Sequence, residues 1–200
     1  MARPRHMSDE DLLDIARDVF AAEGAHASTA TIADRAGLSQ AALFKRFGTK
    51  ERILRAALAM PEPRWVQAVS SGPDDRPARD QLQAIGHEML LFFRELVPRV
   101  AVLRSAGFKP ECMFEGQDEP PPVRSHRALS GWFRAAMERG AIRDSNPDVL
   151  AFVFLGPFQS RAFWAHTAGA DASAEEDAAF VAAMIDVFWR GIAPEGTREG

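Results

Sequence analysis

The chain has no tyrosine, few threonines and a single cysteine in 200 residues. Tyrosine and threonine favour strands, so their scarcity beside abundant alanine points to helix. With Cys112 alone, no internal disulfide can form, which suits a reducing compartment. No stretch approaches 18 uninterrupted apolar residues. Ala151–Leu155 and Phe180–Phe188 are apolar but short or broken, so no membrane span is expected. No apolar run follows the basic start MARPRHM, so no signal peptide is expected, and the protein is placed in the cytoplasm. The marks of an enzyme are missing too. There is no paired metal-ligand spacing, no glycine-rich phosphate loop and no GxSxG. Cys112 stands near Glu111 and Glu115, which disfavour a thiolate. No catalytic residue, metal site or cofactor is expected.

What is present is a globular amount of apolar residue, 46%, and an uneven charge. The formal charge of −4 argues against a wholly basic nucleic-acid binder. Residues 1–60 carry nine bases against eight acids, about +1, which leaves about −5 for the rest. Within 40–55 stand Lys45, Arg46, Lys50, Arg52 and Arg55 with one acid, Glu51. That local density is what phosphate binding needs.

The densest signal runs from Ser28 to Leu54, STATIADRAGLSQAALFKRFGTKERIL. It reads as short helices joined by tight turns. Thr29 is expected to cap a helix running to about Ala36, with Ile32, Ala33 and Ala36 buried. Gly37 can take the left-handed backbone that ends it. Ser39 then caps a helix over Gln40–Phe47 that closes on Lys45-Arg46. Thr49 caps the next, with Ile53, Leu54, Ala57 and Leu58 inside. A preceding helix begins at Ser8, where Ser8 and Asp11 make a capping-box pair. It buries Leu12, Ile15, Ala16, Val19 and Phe20 and ends at Gly24. A short capped helix held by a glycine turn is the shape that enters a DNA major groove.

Beyond this module, SSGPDDRP (70–77) is a loop. Helices are expected over Ala78–Val97, Pro98–Ala106 and Val123–Arg139, with an irregular loop over 107–122. Asn146-Pro147 opens a further helix through Trp164, which Gly156-Pro157 should kink. Ser173 starts the last, ending near Gly191. The fold expected is all-α, about nine helices, with a helix-turn-helix module at 1–55 and a larger helical domain at 56–200.

The N-terminal stretch resembles the TetR family of bacterial transcriptional regulators. The resemblance rests on Thr29, Ile32, Ala33, Ala36, Gly37, Leu38, Ser39, Leu43, Phe44, Phe47, Lys50 and Leu54, in the family's order and spacing, and on Ala16, Phe20 and Gly24 before them. It covers roughly residues 8–55. It implies a dimer, with each third helix in a major groove, a small molecule bound in the larger domain, and the last two helices paired with their copies. The family usually has Tyr where this chain has Phe44. Phe44 cannot give a phosphate a hydroxyl, though its ring can pack on the sugar-phosphate wall.

In the DNA module, the first-turn amides behind Ser39 can face a phosphate. Gln40 can bond adenine bidentately, and Ala41 or Ala42 can touch a thymine methyl. Lys45 or Arg46 can read guanine or hold phosphate. Thr29 and Thr49 can cap or bond phosphate, and Lys50 matches a family position that grips the backbone. For the larger domain, His87, Phe92, Trp132, Phe133, Met137, Gln159 and Phe163 are candidates to line a pocket for a small apolar or amphipathic effector, with Arg94 and His126 as further polar contacts and Met89 and Met113 as adaptable walls. The same residues also describe an ordinary core. Phe152, Leu155 and Phe158 on one helix, with Phe180, Met184 and Phe188 on the other, are candidates for a homodimer interface. The reading is a ligand-responsive regulator, a repressor released by its effector from a palindromic operator on double-stranded DNA. A structural DNA-binding protein without effector, or a ligand-gated activator, stays open.

Overall fold

Alternating caps and glycine stops cut the chain into helices. The structure, a computed structural model, describes residues 7–109, 118–170 and 172–194. Met1 to His6, Cys112 and Met113 lie outside them. Among the described residues there are nine α-helices and no strand: α1 Asp9–Glu23, α2 Thr29–Arg35, α3 Gln40–Phe47, α4 Lys50–Leu58, α5 Arg64–Ser70, α6 Ala78–Ser105, α7 Pro121–Glu138, α8 Pro147–Ala168 and α9 Ala174–Ile192. The all-helical expectation holds.

The chain forms two compact units, residues 1–60 with 98–115, and 61–97 with 116–200. In the first unit, α1 opens with the expected capping box. Ser8 Oγ accepts from the Asp11 amide at 3.0 Å, and the Asp11 carboxylate accepts from the Ser8 amide at 3.3 Å. Leu12, Ala16, Val19 and Phe20 of α1, Ile32 and Ala33 of α2, Leu43 of α3 and Ile53, Leu54 and Ala57 of α4 make one buried core. Leu103, near the end of α6, is buried in it, and Val102 and Phe108 pack against it.

The second unit is built on a cluster of edge-on rings. Phe133 lies 5.4 Å from Trp132 and 5.9 Å from Phe154, and Phe154 lies 5.4 Å from Phe158 and 5.1 Å from Phe188. Such offset contacts add to the area these rings bury. Gly86 of α6 is what lets Phe158 in, because a Cβ there would stand 2.7 Å from Phe158 Cζ. The start of α9 is tied by charge. Asp177 is buried, accepts from Arg94 and lies 3.8 Å from Arg161, while Arg94 also donates to the Ala172 carbonyl at 2.9 Å.

Two local expectations are corrected. Pro98 does not divide two helices. α6 runs unbroken over 28 residues, buried before it in the second unit's core and after it in the first's. Tertiary burial outweighs the roughly 3 kcal/mol a mid-helix proline costs. Pro121 and Pro122 do not belong to a loop but open α7, since first-turn amides need no partner there. Between α4, which ends at Leu58, and α5, Pro63 stands immediately before the new helix.

Candidate nucleic-acid interface

The turn between α2 and α3 sets the geometry. The Gly37 amide donates to the Asp34 carbonyl at 3.1 Å, and the Leu38 amide to the Ala33 carbonyl at 2.9 Å. These two bonds form a Schellman stop, with Gly37 at φ +65°, a backbone that costs a β-carbon about 1 kcal/mol or more. One residue later Ser39 Oγ accepts from the Ala42 amide at 3.2 Å and starts α3. The reversal is therefore encoded within four residues. Leu43 anchors α3, fully buried, with Phe44 and Phe47 half-buried beside it. Gln40, Ala41, Lys45 and Arg46 are exposed, and Ala42 is half-buried.

Thr29 is not the cap of α2. Ser28 is, its Oγ accepting from the Ala30 amide at 3.1 Å. The helix starts one residue earlier than expected, which leaves Thr29 inside its first turn and 7% exposed. Its hydroxyl meets the α3 side chain Gln40 instead, whose Nε2 donates to Thr29 Oγ1 at 2.6 Å. Nothing local in the sequence marks this bond, which joins residues eleven apart across the turn.

Arg46 is also engaged. Its guanidinium donates to the Met7 carbonyl at 2.9 Å and to Asp9 Oδ1 at 3.3 Å. The last turn of α3 is thus tied to the start of α1. Lys45 stands exposed one residue earlier. Thr49 caps α4 as expected, its Oγ1 accepting from the Arg52 amide at 3.2 Å. Lys50, at the first position of α4, is half-buried. Beside it Glu51 is fully exposed. Its own backbone amide and the Thr49 hydroxyl hold its carboxyl below the usual carboxylate range, with the Lys50 charge adding to the effect. The surface therefore joins outward cations, an exposed carboxamide and two capped helix starts, the polar groups that hold phosphate oxygens and read base edges.

Residues 12–57 match the family model of bacterial regulatory proteins of the tetR family, and residues 106–191 match that of the C-terminal domain of AefR-like transcriptional repressors. Together the two matches span more than half of the chain. The chain belongs to the TetR family. TetR proteins are DNA-binding transcriptional regulators, not enzymes. No curated protein matches this chain in sequence. Solved TetR structures share its fold at low identity. One assigned to the family from Mesorhizobium loti is 17% identical, with a TM-score of 0.72 over 92% of this chain and 96% of its own. The fatty acid degradation regulator FadR from Bacillus halodurans is 14% identical, with a TM-score of 0.67 over 98% and 100%. SmeT, solved in complex with triclosan, is 16% identical, with a TM-score of 0.69 over 95% and 93%.

In the second unit of this TetR chain, Phe92, Trp132, Phe133 and Met137 join one apolar cluster. Trp132 and Phe133, at 1% and 0% exposure, lie in the core. Gln159 and Phe163 are exposed on α8 and do not face an interior. His87 and Phe92 are half-buried on α6, and Phe92 packs edge-on against Phe93 at 5.5 Å. Met89 is fully buried core. Met137 is half-buried and borders an open hollow of about 340 Å³ with Arg134, Glu138, Asp144, Ser145 and Pro147. Arg94 is spent on Asp177 and the Ala172 carbonyl, and the His126 ring lies on Phe152 at 4.0 Å.

The expected interface residues divide in two. Phe158 and Phe188, at 0% and 8% exposure, lie in the core of their own chain. Leu155, Phe180 and Met184 are half-buried, and Phe152 is 66% exposed. Val149, Val153, Trp164 and Val187, which the sequence reading did not name as site residues, are exposed as well, as is the pocket candidate Phe163. On α8, Val149, Phe152 and Val153 stand at three- and four-residue spacing, and Phe163 and Trp164 lie about three turns further along the same face. A second open hollow, about 400 Å³, lies against Pro157, Ser160, Arg161, Trp164 and Phe180, with the Arg161 guanidinium 5.6 Å from the Trp164 ring and 5.3 Å from Phe180.

Among the described residues no helix is long and apolar enough to cross a membrane.

Proposed function

We propose that this TetR regulator is a cytoplasmic homodimeric repressor that grips a palindromic operator with two copies of α3 and releases it when a small apolar or amphipathic molecule binds the second unit. The observation that carries the reading is the outward face of α3: Gln40, Ala41, Lys45 and Arg46 exposed on a helix whose opposite side is buried by Leu43. In this reading residues 1–55 bind DNA, and 56–200 bind the effector and pair the subunits. Gln40, Ala41 and Ala42 meet base edges, and Lys45 and Arg46 meet guanine or phosphate. The first-turn amides behind Ser39, with Thr49 and Lys50, hold the backbone. Phe44 packs on its sugar wall.

The exposed apolar stripe on α8, together with Phe180, Met184 and Val187 on α9, supports pairing with a second copy. An exposed apolar face of this extent marks an interaction surface, and burying it contributes about 25 cal/mol per Å². A two-fold pair then sets the α3 helices about 34–36 Å apart, or a near multiple. A solved relative holding triclosan and another named as flavonoid-responsive support an effector of that class. The match to a repressor's C-terminal domain supports repression. An effector that fits one arrangement of the second unit better than another shifts the population toward it and changes the spacing of the two α3 helices.

Selection of bound duplexes from a random library by the purified chain tests this. The expected product is a palindrome. Recovery of sequences with no shared motif at moderate salt overturns it.

A further inference from the structure

We propose that Thr29 decides what Gln40 can read: by taking one N–H of the Gln40 carboxamide, it sets that side chain to prefer adenine over guanine. The inference rests on the reading of α3 as the base-reading helix and deepens it.

A glutamine carboxamide carries two N–H donors and one oxygen acceptor. Its last torsion is soft, so an unheld carboxamide exchanges its two ends at little cost. Such a group meets adenine with one N–H to N7 and its oxygen to the N6 amino group. It meets guanine with both N–H groups, since O6 and N7 are both acceptors. An exposed glutamine at the start of a recognition helix therefore tolerates either purine.

Gln40 is not unheld. Its Nε2 donates to Thr29 Oγ1 at 2.6 Å. The acceptor is itself fixed. Thr29 is β-branched, lies in the first turn of α2 and is 7% exposed. Because Ser28 caps α2, the Thr29 hydroxyl is not used to start its own helix. With one N–H spent, Gln40 keeps one donor and one acceptor. That pair matches adenine. Against guanine the Oε1 would oppose O6 or one acceptor would go unmet. Thr29 is in this account a positioning residue that need not touch DNA.

The test is base preference by selection from a random duplex library, run on the full chain and on Thr29→Val, Thr29→Ser and Gln40→Ala. Valine keeps the shape and removes the acceptor. The expected result is an adenine preference at one half-site position in the parent. Thr29→Val should reduce the adenine-to-guanine ratio there by about tenfold, leave other positions unchanged, and Thr29→Ser should restore it. Gln40→Ala should abolish preference at the same position. A merely structural threonine would weaken all positions together. If Thr29→Val does not fold, Thr29→Ala makes the same comparison. If Gln40→Ala erases the preference and Thr29→Val does not alter it, the Thr29 proposal is overturned and base reading by Gln40 stands. If neither variant changes any position, base reading by Gln40 fails and takes the proposal with it.

Discussion

Glu51 shows how one residue sets a contact surface. It is the single acid among residues 40–55, and it stands at the start of α4 beside Thr49 and Lys50, the groups proposed to hold phosphate. Its own amide and the Thr49 hydroxyl hold its carboxyl below the usual carboxylate range, so its charge sits where a phosphate would bind. Glu51→Gln removes the negative charge and keeps the size. Operator affinity at low salt should rise about two- to fivefold, with the gain shrinking as salt screens it, measured by fluorescence anisotropy. Unchanged affinity would remove Glu51 and its helix start from the interface. The pH sign follows from the depressed pKa. The folded chain favours the ionised form, so the stabilisation is present above the unfolded carboxylate pKa and is lost as pH falls through the lower folded value. Between about pH 6 and 8 Glu51 should therefore add no titration to stability or to binding. At this scale the sequence was readable where cause and effect are neighbours. Ser8, Ser39, Thr49, Asn146 and Ser173 all cap the helices they precede. Thr29 was misread as a cap because Ser28 competes with it, and a cap's choice between adjacent hydroxyls depends on backbone angles that composition does not carry. The Gln40 and Arg46 bonds cross between elements and leave no local trace.

Among elements, Gly86 is the position where two opposing helix rules meet. It lies inside α6, where alanine is favoured over glycine by about 1 kcal/mol. Yet a Cβ would sit 2.7 Å from Phe158 Cζ and 3.3 Å from Val181 Cγ1, against a ring that is itself fully buried. Overpacking of this kind costs about 1–3 kcal/mol. The clash wins, and Gly86→Ala should lose about 1 kcal/mol in urea unfolding. A stability gain would show that Phe158 can yield. Helix existence was legible here because apolar residues and capping agree over α1 and α9. Continuity was not. Pro98 announces a break, and α6 continues through it because burial on either side outweighs a lost hydrogen bond; Pro157, where only a kink is expected, likewise lies inside a continuous α8. The split between core and cavity was illegible for a related reason. Trp132, Phe133, Phe158 and Phe188 have the composition of a pocket or an interface, and only their mutual ring contacts show that they fill each other's space.

For the whole molecule, one recognition helix of eight residues offers few base contacts, and useful specificity requires two acting together. The regulator family was legible because the helix-turn-helix signature is local and dense. The outer face of α8 was legible only in part. Phe152 stood out as apolar on a late helix, but Val149, Val153 and Trp164 become meaningful once Phe154 and Phe158 are known to turn inward. The central claim is that two copies of α3, held at a fixed separation, read one palindrome. Titration of the selected operator, intact and with five base pairs inserted at its centre, measures this directly. Half a helical turn rotates one half-site to the far side of the duplex, so affinity should fall by about 100-fold or more. Equal binding to the intact and the interrupted site would contradict the account.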